Sequence, residues 1–140
     1  MEVRMTRRYG VPAEEIWGLL RDFGGIQRWN QQGIESVRVE GEGVGAIRTI
    51  GLPGGASLQE RLEAFDEDDL SFSYSFTGEL LLPLADYLAS MTVIPVDEGS
   101  CEVVWESTFG PGELTEDQAR ATIEGIYAGG LDALGKTVEV

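Results

Sequence analysis

The sequence predicts an α+β fold in which about seven antiparallel strands form a meander bracketed by helices. Three observations predict it. Apolar residues recur at helical spacing from Ala119 to Val138. About 80 residues between the helical segments alternate with a period of two. Short runs rich in glycine, proline or aspartate separate the alternating stretches. The 140 residues suit a single domain over 1–140, and a hydrophobic content of 42% closes a core without a metal or disulfide staple.

Met1 to Arg8 reads as an N-terminal strand. Pro12 stands where a first helical residue would, with Glu14 and Glu15 in the dipole-favoured first turn. Ile16, Leu19, Leu20 and Phe23 then recur at helical spacing until Gly24-Gly25 stops them. A short second helix is expected over Ile26 to Trp29. Strands follow. Val37 and Val39 flank Arg38, and Leu58, Leu62 and Ala64 alternate with Gln59, Arg61 and Glu63. Leu70, Phe72, Tyr74 and Phe76 alternate with Ser71, Ser73 and Ser75, the cleanest period-2 run in the chain. Tyr87, Ala89, Met91 and Val93 make another apolar face. Turns are expected at Gly41 to Gly45, Pro53-Gly54-Gly55, Asp66 to Asp69, Asp97 to Ser100 and Gly110-Pro111-Gly112. Thr115 with Gln118 forms a capping box that starts the last helix. Ala119, Ile123, Ile126, Tyr127, Leu131, Leu134 and Val138 are its apolar stripe.

This order has a functional consequence. One long helix cannot fully cover the concave face of a strongly curved sheet, so a cavity is expected between them.

Composition removes many chemistries. The chain has no histidine and one cysteine, Cys101. Ser-His-Asp and Cys-His catalysis, histidine-ligated zinc or haem, and an internal disulfide are therefore excluded. Lys136 is the only lysine, which makes Schiff-base chemistry a poor expectation. A formal charge of −15 repels phosphate backbones and anionic membranes, so no nucleic-acid partner is expected. No secretory signal and no run of about 20 apolar residues is visible, so a cytoplasmic protein without membrane insertion is expected.

Several motifs read as structure. Gly41-Glu42-Gly43-Val44-Gly45-Ala46 fits G-x-G-x-x-A, but strand-like residues follow it, so a hairpin turn is expected instead of a dinucleotide site. Asp66-Glu67-Asp68-Asp69 lacks the spacing of a calcium loop and reads as a solvated turn. Cys101 has no nearby activating group and reads as inert. No metal and no cofactor are expected. Gly130 lies on the inward stripe of the last helix, where it makes room either for a ligand or for close packing on the sheet.

The sharpest signal is polar residues at inward positions. Glu60 shares strand parity with Leu58 and Leu62, Glu35 with Val37 and Val39, and Arg48 with Ala46 and Ile50. A buried carboxylate needs a partner, a water or a ligand, and a Glu–Arg pair inside the barrel mouth would supply the partner. Glu106 shares parity with Val104, whereas Val103, Trp105 and Phe109 make the other face more apolar.

Val11-Pro12-Ala13 with Ile16-Trp17, Asp22-Phe23 and Trp29-Asn30 resembles the start of the SRPBCC (START-like) superfamily. The similarity continues through Gly43-Val44-Gly45-Ala46-Ile47-Arg48, Glu60-Arg61-Leu62 and Leu82-Pro83-Leu84 to the last helix. It is strongest to bacterial polyketide cyclase/dehydrase-type members. This resemblance implies a helix-grip fold, a curved antiparallel sheet wrapped around a long C-terminal helix with a hydrophobic pocket between. Gly51-Leu52-Pro53 also resembles the gate loop of the plant abscisic-acid receptors. By that comparison Leu52 and Pro53 close over the pocket, which Glu60, Tyr87, Glu106 and Ile126 line beside Tyr74 and Phe76. The receptors' hormone-binding lysine falls on Glu35, and leucines Leu80 to Leu82 replace their latch. Glu35 would repel a hormone-type acid.

The expected function is binding of a small apolar or amphipathic molecule beneath the Gly51 to Gly55 loop. Tyr74, Phe76, Tyr87, Met91 and Ile126 would supply apolar surface, and Glu35, Arg48 and Glu60 would orient a hydroxyl or amine. The alternative is a cyclase/dehydratase-type enzyme using Glu60, Glu106, Tyr87 and Arg48 as proton-handling or polarising groups. A third reading is a lipid carrier or accessory protein, with Leu80 to Leu84 as lid, docking patch or core. Homo-oligomerisation is left open.

Overall fold

The computed structural model describes residues 1–30, 33–78 and 84–139. Strand β1 (Glu2–Tyr9) leads into helix α1 (Ala13–Leu20) and a 3-10 segment, Phe23–Arg28. Strands β2 (Ser36–Glu40), β3 (Ile47–Gly51), β4 (Ser57–Asp66), β5 (Ser71–Thr77), β6 (Ala85–Asp97) and β7 (Ser100–Gly110) follow, and helix α2 (Glu116–Val138) comes last. The seven strands form one antiparallel sheet in the order β1-β7-β6-β5-β4-β3-β2. Every neighbour but one is a hairpin. The exception is β1, which closes against β7 along the register Glu2↔Thr108 to Tyr9↔Cys101. The curved sheet and long C-terminal helix are the helix-grip arrangement.

Helix α2 starts where its cap dictates. Thr115 Oγ1 accepts from the Gln118 amide at 3.1 Å, and Gln118 Oε1 accepts from the Thr115 amide at 3.0 Å. Ile123, Tyr127, Leu131 and Leu134 are fully buried against the sheet. Each aliphatic side chain among them contributes roughly 1.5–3 kcal/mol of burial. The Tyr9 hydroxyl donates to the Leu131 carbonyl at 2.6 Å, tying the end of β1 to the middle of α2.

The sequence expectations need correcting at several places. Helix α1 stops at Leu20, and Phe23 belongs to the 3-10 segment that replaces the short helix expected over Ile26 to Trp29. Ala64 is exposed, because a register shift between Leu62 and Ala64 breaks the alternation of β4. Beyond that bulge, Phe65 packs on Trp17 with ring centroids 5.5 Å apart. Ile126 is 44% exposed, so the buried stripe of α2 is narrower than its apolar pattern. The Gly41 to Ala46 segment is the β2–β3 turn, and its glycines Gly41, Gly43 and Gly45 all take positive φ (88°, 66° and 96°). The Asp66 carboxylate caps its own turn by accepting from the Asp68 and Asp69 amides. Cys101 is buried, which pushes its thiol pKa up. Leu80 to Pro83 of the leucine-rich run lie outside the described residues; Leu84 is buried.

Candidate ligand-binding site

Where α2 and the concave face of the sheet diverge, a cavity of about 290 Å³ remains. That volume lies near the lower end of the range for small-molecule sites. Strand pairing brings its polar and aromatic groups together. Arg48 on β3 is directly opposite Glu60 on β4, Glu60 is opposite Phe76 on β5, and Leu62 is opposite Tyr74. Parity then turns Arg48, Glu60, Tyr74 and Phe76 toward the helix.

Arg48 and Glu60 form a buried ion pair. Arg48 Nε donates to Glu60 Oε1 at 2.8 Å, and a terminal nitrogen, Nη2, lies 2.7 Å from the same oxygen. Arg48 Nη1 donates to the Phe23 carbonyl at 3.0 Å, and the guanidinium carbon sits 4.1 Å from the centre of the Phe23 ring. Among the described residues, no hydrogen bond reaches Glu60 Oε2. The pair thus offers the cavity an acceptor oxygen on a carboxylate already neutralised by its partner.

Aromatic rings continue the wall beside the pair. Phe76 and Tyr87 stack at 4.0 Å, and Trp105 stacks on Tyr127 of α2 at 4.3 Å while meeting Trp29 edge-on. Trp105 Nε1 donates to the Tyr74 hydroxyl at 3.0 Å. The Tyr74 hydroxyl lies 3.5 Å from that of Tyr87, which in turn hydrogen-bonds the Tyr127 hydroxyl. Burial raises the pKa of all three phenols: Tyr127 is pushed up to about 12, and Tyr74 and Tyr87 go further. Tyr9 is raised as well, again by burial. All four tyrosines are therefore neutral donors across physiological pH.

A test follows from the sign of these shifts. A phenol whose folded pKa exceeds its unfolded value near 10 favours the fold fully only below that value. The contribution shrinks as pH rises from about 10 toward the folded values, so stability falls through that window. Denaturant melts at about pH 8 and about pH 11 are expected to show the loss. Tyrosinate absorbance is expected to appear with unfolding and not before it. Titration of any tyrosine near 10 in the folded protein would contradict the burial described.

Eight of the twelve residues singled out from the sequence line this cavity: Arg48, Leu52, Glu60, Tyr74, Phe76, Tyr87, Met91 and Ile126. Four do not. Glu35 is exposed, because it precedes the edge strand β2, both of whose faces reach solvent. Glu106 points from the outer face of the sheet and sits 3.5 Å from Arg4 in an exposed pair. Pro53 is exposed on the turn above the mouth, where only Leu52 reaches the lining. Gly130 makes room for Trp105: a Cβ built there would lie 2.6 Å from the indole ring.

Sequence reasoning missed Ile50, Leu58 and Trp105, although the first two share strand parity with Arg48 and Glu60. It also missed Ile26, Trp29, Asn30 and Ile34, which the 3-10 segment and the chain after it deliver. Six residues of 3-10 helix are too short for a periodic signal. Asn30 Oδ1 is buried without a hydrogen-bond partner among the described residues, as is Ser107 Oγ. A larger, open crevice beside Arg21, Asp22 and Arg28 is a weaker candidate, since its arginines pair with Glu67 and Asp22.

Comparison with known proteins agrees with this architecture. Residues 1–139 match the family described as polyketide cyclase / dehydrase and lipid transport. The chain is 30% identical over 127 residues to a Panax ginseng protein named Ribonuclease 1, covering 81% of this chain and 82% of that one. A solved Bacillus thuringiensis structure superposes over the whole of both chains with a TM-score of 0.91 at 25% identity. Norcoclaurine synthase from Thalictrum flavum, solved with dopamine and hydroxybenzaldehyde, shares the fold at a TM-score of 0.75. It is 18% identical and covers 99% of this chain and 86% of its own. Among the described residues, no helix is long and apolar enough to cross a membrane. The match along residues 1–139, on this sheet and helix, makes the chain a member of the polyketide cyclase/dehydrase and lipid-transport family within the SRPBCC superfamily.

Proposed function

We propose that this protein binds a small, largely apolar or amphipathic ligand in the cavity between the sheet and α2, and does so in the cytoplasm. One observation carries the reading: an aromatic-walled cavity of about 290 Å³ is also lined by a buried carboxylate, that of Glu60, paired with Arg48. Apolar walls supply affinity, and a few placed polar groups supply orientation. Leu52 and the half-exposed Ile126 flank the entrance.

The family description also covers cyclases and dehydrases, and Glu60 within the cavity favours that as the second reading. Glu60 would then be the proton-handling group, with Tyr87 and Arg48 beside it; Glu106, on the outer face, plays no part. The name of the ginseng relative does not transfer, because −15 of formal charge opposes RNA and no histidine is present for acid–base cleavage.

Native mass spectrometry of gently purified protein tests the binding reading. A one-to-one apolar adduct is expected, and it is expected to be lost from Ile126→Trp, whose indole would fill the mouth. An adduct that survives Ile126→Trp would place the ligand elsewhere. Bare protein that also fails to bind 2-naphthol would end the binding reading. Conversion of an extracted adduct into a new product, abolished by Glu60→Gln, would favour the enzyme.

A further inference from the structure

Counting polar hydrogens along the aromatic wall shows a surplus. Trp105 Nε1, Tyr74, Tyr87 and Tyr127 contribute four hydrogens to three links: Trp105 to Tyr74, Tyr74 with Tyr87, and Tyr87 with Tyr127. Indole N–H only donates, so the direction of the first link is set. One O–H is therefore left without an acceptor in the chain. It cannot rest cheaply at the Tyr127 end, where the residue is wholly buried and outside the cavity lining. A bond from Tyr127 to Ser107 would only hand the surplus to the serine's own hydrogen, and Ser107 Oγ is buried without a partner. Tyr74 and Tyr87 line the cavity, so the surplus hydrogen belongs there. The 3.5 Å separation of their hydroxyls is the weakest link of the chain, and it leaves that end readiest to turn toward a ligand.

We propose that the Tyr74–Tyr87 pair presents a hydroxyl donor to the cavity, so that the ligand is a neutral molecule carrying a ketone- or ether-type acceptor oxygen on an apolar frame. This rests on the binding reading above. A carboxylate ligand would also accept, but it would share the cavity with Glu60. The neutral acceptor satisfies the surplus hydrogen without adding charge.

Two shape-matched probes test the proposal: 2-acetylnaphthalene, which carries the acceptor, and 2-isopropenylnaphthalene, which replaces the oxygen by a methylene group. Calorimetric titration is expected to show the ketone binding about tenfold more tightly or better, as expected where a site would otherwise leave a donor unpaired. Infrared spectroscopy of the bound ketone is expected to show its carbonyl stretch lowered from its value in hexane. In Tyr74→Phe/Tyr87→Phe both the preference and the shift should vanish, so that the ketone binds no more tightly than the alkene does to the same variant. Equal binding of the two probes, an unshifted carbonyl, or a shift retained in the double variant would overturn the donor assignment. If the double variant does not fold, the infrared shift in the unaltered protein still decides. Failure of both probes to bind would instead remove the binding reading itself, and the donor assignment with it.

Discussion

Replacing Glu60 with leucine is expected to lower folding stability by about 3 kcal/mol, the lower end of the range for stranding one member of a buried ion pair. Arg48 would keep its bond to the Phe23 carbonyl and its place over the Phe23 ring, but would lose both contacts to Oε1. The cavity beside the pair admits water to the stranded guanidinium, which holds the loss to the low end. Replacing both members, Arg48→Met with Glu60→Leu, is expected to recover most of the stability, since well-packed apolar residues often match a buried pair. Urea melts of the single and double variants check this. A cost below about 1 kcal/mol for Glu60→Leu alone would show that the pair behaves as a surface contact.

Trp105→Ala is expected to cost about 3–5 kcal/mol, because a large buried ring is removed and the surroundings close only in part. Trp105 joins three parts of the fold: it stacks on Tyr127 of α2, meets Trp29 after the 3-10 segment, and donates to Tyr74 on β5. Its ring also explains Gly130. In the unaltered protein, Gly130→Ala drives a methyl group against the indole, an overpacking cost of roughly 1–3 kcal/mol that outweighs the gain in helix propensity of about 1 kcal/mol. In the Trp105→Ala background the clash is gone, and the same substitution should become neutral or favourable. Gly125→Ala, with nothing within 4 Å of its Cβ, should stabilise in both backgrounds. A Gly130→Ala penalty that persists without Trp105 would place the obstruction elsewhere. Denaturant midpoints of the four combinations measure the coupling directly.

Much of the candidate site was legible because strands have a strict period. Once Leu58 and Leu62 point inward, Glu60 must follow, and Ala46 and Ile50 do the same for Arg48. The misses have equally physical causes. Parity means little on an edge strand with solvent on both sides, which is why Glu35 is exposed beside Val37 and Val39. Glu106 had two apolar faces to choose from, and the heavier face, with Trp105 and Phe109, turned inward. Asn30 and Trp29 arrive from a segment with no repeating pattern.

What the sequence by itself determined is local. Period-2 alternation, turn residues and the Thr115 cap specify strands, hairpins and the start of α2, because each depends on a few neighbouring residues and on which face sheds water. The absence of histidine and the −15 charge equally narrow the chemistry without any structure. Only the tertiary structure decided that Arg48 and Glu60 meet across a strand pair, that Tyr74, Tyr87 and Tyr127 join one hydrogen-bonded chain, and that Gly130 accommodates Trp105. Those outcomes turn on sheet register and on where a helix crosses it. Contacts between residues far apart in the chain set both, and no local pattern encodes them.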